Sequence, residues 1–135
     1  MNIKVVAAII FYDKRILATQ RRRSKNKETS MKYEFPGGKI KKNEDKIHAL
    51  KRELNEELSI KIPYLNFYYS NSFKYEKFKV TLHFYISRIK KLQIKLNVHK
   101  SFKLLKIKDL RSVKWLAADY SVINQLEEDF KDLYY

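Results

Sequence analysis

Two glycines are all that this 135-residue chain contains, and they stand side by side in Glu34-Phe35-Pro36-Gly37-Gly38-Lys39. Glycine reaches backbone angles closed to other residues and lets a second segment approach closely, so a chain this poor in it keeps an adjacent pair for a special backbone shape. With Pro36 fixing φ just ahead, the run is expected to turn at Pro36-Gly37-Gly38, directly after the apolar-aromatic residues Tyr33 to Phe35. A plain Pro-Gly turn is the simpler reading, and the run alone does not decide between the two.

The rest of the chain has material for one packed domain, taken here as residues 1–135. Hydrophobic residues make up 44% of it, with ten Tyr and eight Phe, which argues against disorder. No stretch approaches the roughly 18 apolar residues of a membrane span, and Met1-Asn2-Ile3-Lys4-Val5 lacks a signal-peptide layout, so no membrane association and a cytoplasmic location are expected. The absence of cysteine removes disulfides, thiolate metal sites and cysteine nucleophiles together. Any metal has to be held by oxygen or imidazole.

Ile3 to Phe11 is a nearly continuous β-branched apolar run, and Asp13-Lys14 before Ile16-Leu17-Ala18 reads as a turn into a second strand of a buried hairpin. Residues 21 to 32 are polar and basic without period, as in a surface loop. Ile47, Leu50, Leu54 and Leu58 recur at helical spacing, which predicts a helix over 46 to 58 with Asp45 as its N-cap. Leu65 to Phe73 and Lys79 to Ile89 have strand composition and are expected to pair. The Lys-rich stretch 91 to 108 reads as loop and edge strand, Ile107 to Leu110 as a helical turn. A last amphipathic helix is expected to begin near Ser121 and to bury Val122, Ile123, Leu126 and Phe130.

At about 100° per residue, Glu53, Glu56 and Glu57 share one face of the predicted helix, beside the leucine stripe. Converging carboxylates repel and raise one another's pKa, so the array is self-destabilising unless a cation neutralises it. Hard oxygen ligands without nitrogen or sulfur suit Mg2+, or Mn2+, better than zinc. A solvated acidic face paired with the surplus lysines is the alternative.

The spacing narrows the choice. From Gly38 the chain reads five residues, Glu44, seven residues, then Arg52-Glu53-Leu54-Asn55-Glu56-Glu57-Leu58-Ser59-Ile60. This resembles the Nudix box, glycine-x5-Glu-x7-Arg-Glu-aliphatic-x-Glu-Glu-x-Gly-aliphatic, with Ser59 in place of the last glycine. Tyr33 to Lys39, Val5-Val6-Ala7-Ala8 and Gln20-Arg21 look like the MutT and CTP pyrophosphohydrolase branch of that family. The resemblance implies an α/β fold, an α/β/α sandwich with a mixed sheet and a loop-helix-loop catalytic box. It implies a magnesium-dependent enzyme that splits a nucleoside triphosphate into monophosphate and pyrophosphate, of the kind that clears 8-oxo-dGTP or CTP-type nucleotides. By the same resemblance Gly38, through its carbonyl, and Glu53, Glu56 and Glu57 hold the metal. Glu53 is also the candidate base, Arg52 orients the glutamates, Glu44 braces the loop, and Arg21 and Lys39 lie near the phosphates.

Two departures from the family pattern bear on the chemistry. Ser59 has to take a helix-terminating conformation, which costs a non-glycine residue roughly 1–2 kcal/mol if it is left-handed. Many relatives carry a further loop glutamate, sometimes followed by His, where this chain has Val98 before His99, which leaves Glu53 as the preferred base, with Glu76 another acid to consider. For the base, the resemblance points to Asp119, just before the last helix; an ionised Asp only accepts hydrogen bonds, and a plain helix cap is its alternative role. Tyr75, with Phe78 and Leu82 nearby, is the candidate stacking residue. His48, His83, Met31 and Trp115 read as structural.

The formal net charge of +15, from 30 basic and 15 acidic residues, would attract phosphate-rich partners. Most of the basic residues are scattered lysines, and only Arg21-Arg22-Arg23 with Lys25 and Lys27 forms a dense run. An RNA-binding or RNA 5′-end-processing protein is therefore the second reading, a catalytically degenerate copy of the family the third, and a monomer or homodimer is expected.

Overall fold

Every residue from Val6 to Phe11 is buried, so the strand that carries them has to be covered on both faces. Successive side chains of a strand point to opposite sides. Val6, Ala8 and Ile10 accordingly enter one apolar cluster, and Ala7, Ile9 and Phe11 another.

The computed structural model describes residues 1–133; the expected domain limit at 135 lies outside the described residues. Strand β1 (Asn2–Tyr12) turns through Asp13 and Lys14, both at positive φ, into β2 (Arg15–Gln20). Two positive φ values in a two-residue loop match the right-handed twist of the strands they join. After β3 (Tyr33–Glu34) and β4 (Gly37–Lys39) comes helix α1 (Lys46–Leu58), then β5 (Asn66–Lys74), β6 (Lys79–Ile89), β7 (Ser101–Leu105) and helix α2 (Tyr120–Asp129). Strand β6 runs parallel to β1 along its whole length, and all other pairings, β5 with β6 among them, are antiparallel. Helix α1 covers one face with Ala49, Leu50, Leu54 and Leu58, and α2 the other with Val122, Ile123 and Leu126. This is the expected α/β/α sandwich with a mixed sheet. Each fully buried leucine of α1 contributes on the order of 1.5–3 kcal/mol of apolar transfer.

Three local expectations are corrected. Pro36-Gly37-Gly38 does not make a turn: Gly37 and Gly38 begin β4, which pairs with β1 from Val5↔Lys39 to Ala7↔Gly37, and neither glycine has positive φ. Their role is close approach. Ile47 is 40% exposed in the first turn of α1, and Ala49 enters the core instead. Phe130 follows α2 and is half-buried, its ring centroid 5.0 Å from that of Phe11.

Helix α1 begins where predicted, with Asp45 accepting a hydrogen bond from the His48 backbone N–H at 2.8 Å. It ends at Ser59 in the left-handed region, φ 54° and ψ 37°. The carbonyls left over in a last helical turn need outside donors. Here the segment before β7 supplies them: Lys95 N–H reaches the Leu58 carbonyl at 2.9 Å, Asn97 N–H that of Glu57 at 3.0 Å, and the Asn97 side-chain amide that of Glu56 at 2.9 Å. The same amide donates to Ser59 Oγ at 3.0 Å.

Replacing Ser59 by Gly removes the left-handed strain and the Asn97 bond together, and strain is the larger of the two. The variant is expected to gain about 0.5–1 kcal/mol in urea unfolding. A loss of stability would mean that the Asn97 bond outweighs the strain.

Candidate active site

The polar face of α1 is organised around one guanidinium. Arg52 donates through Nε and Nη2 to both oxygens of Glu44, at 2.7 and 2.9 Å, and Nη2 also reaches the Lys39 carbonyl at 3.1 Å. Its Nη1 donates to Glu53 at 3.0 Å and to Glu56 at 3.3 Å. Glu44 further accepts from the Lys41 backbone N–H at 3.0 Å, so it braces the loop between β4 and α1. The Arg52 hydrogen bonds hold the Glu44 carboxyl down at about 2, and Glu44 in turn pushes Arg52 up.

Beside this hub lies a cavity of about 500 Å³. One end is walled by Gly37, Gly38, Lys39, Glu53 and Glu57, and the other by Tyr75, Phe78, Leu82, Ala118 and Asp119. Arg21, Glu34 and Phe35 also line it. The paired glycines make the first end possible: a Cβ on Gly37 would stand 2.0 Å from the Val6 carbonyl oxygen, and one on Gly38 would stand 2.3 Å from the Glu53 carboxyl carbon. Glu53 therefore occupies space that any other residue at 38 would take.

At this end Glu57 is the strained carboxyl. Burial chiefly, with the charges of Glu34 and Glu53, pushes its carboxyl up to about 7, against His99 and the Gly37 N–H, which lower it. Its Oε1 is buried without a hydrogen-bond partner. A buried carboxylate oxygen with an unused lone pair, facing a cavity that a second carboxylate lines, fits a hard divalent cation. Glu56 departs from the expected convergence: its side chain is 52% exposed, turned to Arg52, and does not line the cavity. Among the described residues no three acidic or imidazole side chains are gathered closely enough to ligate an ion together.

At the other end Asp119 is 2% exposed. Burial first, and the charge of Glu34 second, push its carboxyl well above the usual carboxylate range, while the Phe35 backbone N–H opposes this. Its side chain makes no capping bond to α2, so the helix-cap role is not the one it fills. Burial thus favours the neutral carboxyl, which donates as well as accepts, over the ionised form, which only accepts. Tyr75 stacks on Phe78 with centroids 5.1 Å apart, and its hydroxyl accepts from the Ala118 N–H at 3.1 Å. Glu76 is exposed and outside the cavity, as is His48. His83 bonds Ser70 at 2.7 Å, in keeping with a structural role.

Two residues escaped the sequence reading. Glu34 lines the cavity and accepts from Arg21 Nη1 at 3.2 Å and from His99 Nε2 at 2.8 Å. His99 is 2% exposed, whereas Val98 beside it is 51% exposed, and Arg22 Nε donates to the Val98 carbonyl at 2.8 Å. The position after Val98 was the available signal, since a histidine that folds inward from a Lys-rich stretch has a polar partner to meet.

A family model for the NUDIX domain matches residues 1–128. An 8-oxo-dGTP diphosphatase of Buchnera aphidicola subsp. Schizaphis graminum (strain Sg) is 32% identical over 124 residues, 92% of each chain. One of Buchnera aphidicola subsp. Acyrthosiphon pisum (strain APS) is 35% identical over 97 residues, 72% of this chain and 78% of that one. Among solved structures, a MutT protein from Methanosarcina mazei Go1 superposes with a TM-score of 0.83 at 20% identity, covering 95% of this chain and 94% of that one.

A carboxyl whose folded pKa is raised costs stability once it ionises, so the metal-free protein loses stability as pH rises from 4.5 towards about 7. Asp119, also raised, adds to the same loss, so Glu57→Gln is expected to lessen that slope without removing it and to melt higher than the wild type at pH 8 without metal. Added Mg2+ should raise the melting temperature of the wild type and much less that of the variant. Parallel melting curves for the two proteins across this pH range would remove Glu57 from the site.

Proposed function

The chain belongs to the Nudix family, and from that premise we propose that it is a nucleoside triphosphate pyrophosphohydrolase, cleaving between the α- and β-phosphates to release a nucleoside monophosphate and pyrophosphate. The observation that carries this reading is one cavity with carboxylates at one end and an aromatic pair beside a buried carboxyl at the other. The names of the two Buchnera relatives, both 8-oxo-dGTP diphosphatases, support the substrate class.

In this reading Glu53 and Glu57, with the Gly38 carbonyl, would hold Mg2+ or Mn2+, and Glu56 would join them by turning away from Arg52. Bound there, the cation would neutralise polyphosphate charge and lower the pKa of a coordinated water. Glu53, fixed by Arg52 Nη1, takes the proton from the attacking water. Arg52 keeps Glu53 in place without lining the cavity itself. Lys39, and the N–H groups of Arg21 that Glu34 leaves free, face the phosphate oxygens as charge-assisted donors.

The base stacks on Tyr75 and Phe78, and Asp119 reads its edge. A neutral carboxyl presents a donor and an acceptor side by side. Cytosine offers the complementary acceptor and amine at N3 and N4, and 8-oxoguanine offers O6 and an N7–H. Unmodified guanine has two acceptors, O6 and N7, on that edge. The arrangement therefore favours oxidised guanine and cytosine over guanine, and removing the oxidised nucleotide would clean a triphosphate pool.

A panel of canonical and oxidised nucleoside triphosphates with Mg2+, scored for monophosphate and pyrophosphate, tests the reading directly. Excess chelator is expected to stop turnover, and Glu53→Gln to lower kcat by roughly 10²–10⁴-fold with little change in KM. Release of orthophosphate instead of pyrophosphate, or undiminished turnover in chelator, would overturn it. Asp119→Asn preserves a donor and an acceptor, so its kcat/KM should stay near wild type. Asp119→Leu should lose roughly 10- to 100-fold in kcat/KM for the preferred base, the cost of an unpaired polar edge.

A further inference from the structure

We propose that His99 is a positioning residue that sets base specificity: from behind the cavity wall it fixes one oxygen of Glu34 while Arg21 fixes the other, so that Glu34 presents a rigid acceptor edge beside Asp119. This rests on the reading of the cavity as a nucleotide site.

The geometry carries each step. His99 is 2% exposed and does not line the cavity, whereas Glu34 does. A carboxylate only accepts, so the His99 Nε2 that lies 2.8 Å from Glu34 Oε2 is the protonated nitrogen. Arg21 Nη1 occupies the other oxygen, Oε1, at 3.2 Å. Each carboxylate oxygen has about two acceptor sites, so one on each is left for a ligand. Glu34 lines the cavity and directly precedes Phe35, whose backbone N–H meets the Asp119 carboxyl, so the chain sets the two acidic side chains side by side. Glu34 therefore stands where the base is read.

The loop that brings His99 inward is anchored at both of its ends. Asn97 is tied to the end of α1, and Lys100 N–H donates to the Gln20 carbonyl at 2.8 Å, with Ser101 Oγ on the Gln20 side chain at 2.7 Å. The ring is thus held by backbone bonds on each side. Its Nδ1 is buried with no partner, a cost retained for the bond that Nε2 makes. A histidine needed only for packing would be replaceable by an apolar ring without leaving that atom unsatisfied.

The test is a double-mutant cycle on Glu34 and His99, read as kcat and KM separately over the nucleotide panel. His99→Phe is expected to raise KM roughly tenfold for the preferred base, to leave kcat within about twofold, and to flatten the preference among bases. Glu34→Gln should act the same way, and the double variant should be no worse than the stronger single one. His99→Asn or His99→Gln, which keeps an N–H donor, should recover part of the preference. Calorimetric binding of the product monophosphate without metal gives the same comparison independently of turnover. If His99→Phe fails to fold, Glu34→Gln and the two amide variants still decide. Additive losses, or an unchanged ranking of bases in folded variants, overturn the proposal. A wild type that hydrolyses no triphosphate in the panel overturns the nucleotide reading and this inference with it.

Discussion

Arg52 ties the loop after β4 to the helix that follows it. Its planar fork makes paired bonds to Glu44, reaches the Lys39 carbonyl, and holds Glu53 and Glu56 on adjacent turns. Arginine is the one side chain with five donors in a rigid plane, so lysine could not replace it here. Three carboxylates on one side of a helix and beside its leading loop would otherwise push the segment apart. With the guanidinium among them, the metal-free protein keeps Glu53 against Gly38 and leaves Glu57 facing the cavity. Gly38 then follows as a requirement of space, since Glu53 fills the volume its Cβ would need, and Gly37 follows from the Val6 carbonyl across the strand pair.

The layered fold was legible because its elements obey simple periods. The β-branched run from Ile3 to Phe11, the leucine stripe of α1 and the Asp45 cap each specify their structure locally. The glycine pair was legible as special, yet misread in kind. Close approach and positive φ are both reasons for glycine, and only the partner across the gap distinguishes them. That partner is Val6 for Gly37 and Glu53 for Gly38, 31 and 15 residues away along the chain.

The site was legible where spacing carries it and opaque where long-range packing does. Glu44, Arg52, Glu53 and Glu57 meet as their register requires. Glu34 and His99 are 65 residues apart, and no local pattern announces that they touch. The protonation preference of Asp119 was hidden for the same reason, because its burial and its proximity to Glu34 are properties of the folded chain. The stretch before β7 shows how such long-range effects combine. It satisfies the end of α1 where Ser59 replaces the expected glycine, and directly after Asn97 it exposes Val98 and buries His99. One loop thus accommodates both departures from the family pattern.

The charge distribution makes the remaining argument for a cation. The chain as a whole is +15, yet the cavity is lined by four carboxyls, Glu34, Glu53, Glu57 and Asp119, against two cationic side chains, Arg21 and Lys39. The surface field would draw a polyanion towards a cavity whose own charges oppose it. Protonation relieves part of that opposition at Asp119 and, below about pH 7, at Glu57. At higher pH a divalent cation bound between the carboxylates and the polyphosphate would relieve the rest. Surface lysines cannot substitute for it, because at more than about 8–10 Å they are screened by salt, whereas a cation in the cavity acts at contact. Attraction and binding are in this way separate tasks, the first spread over the lysine-rich exterior and the second confined to the few groups that α1 and its leading loop hold in place.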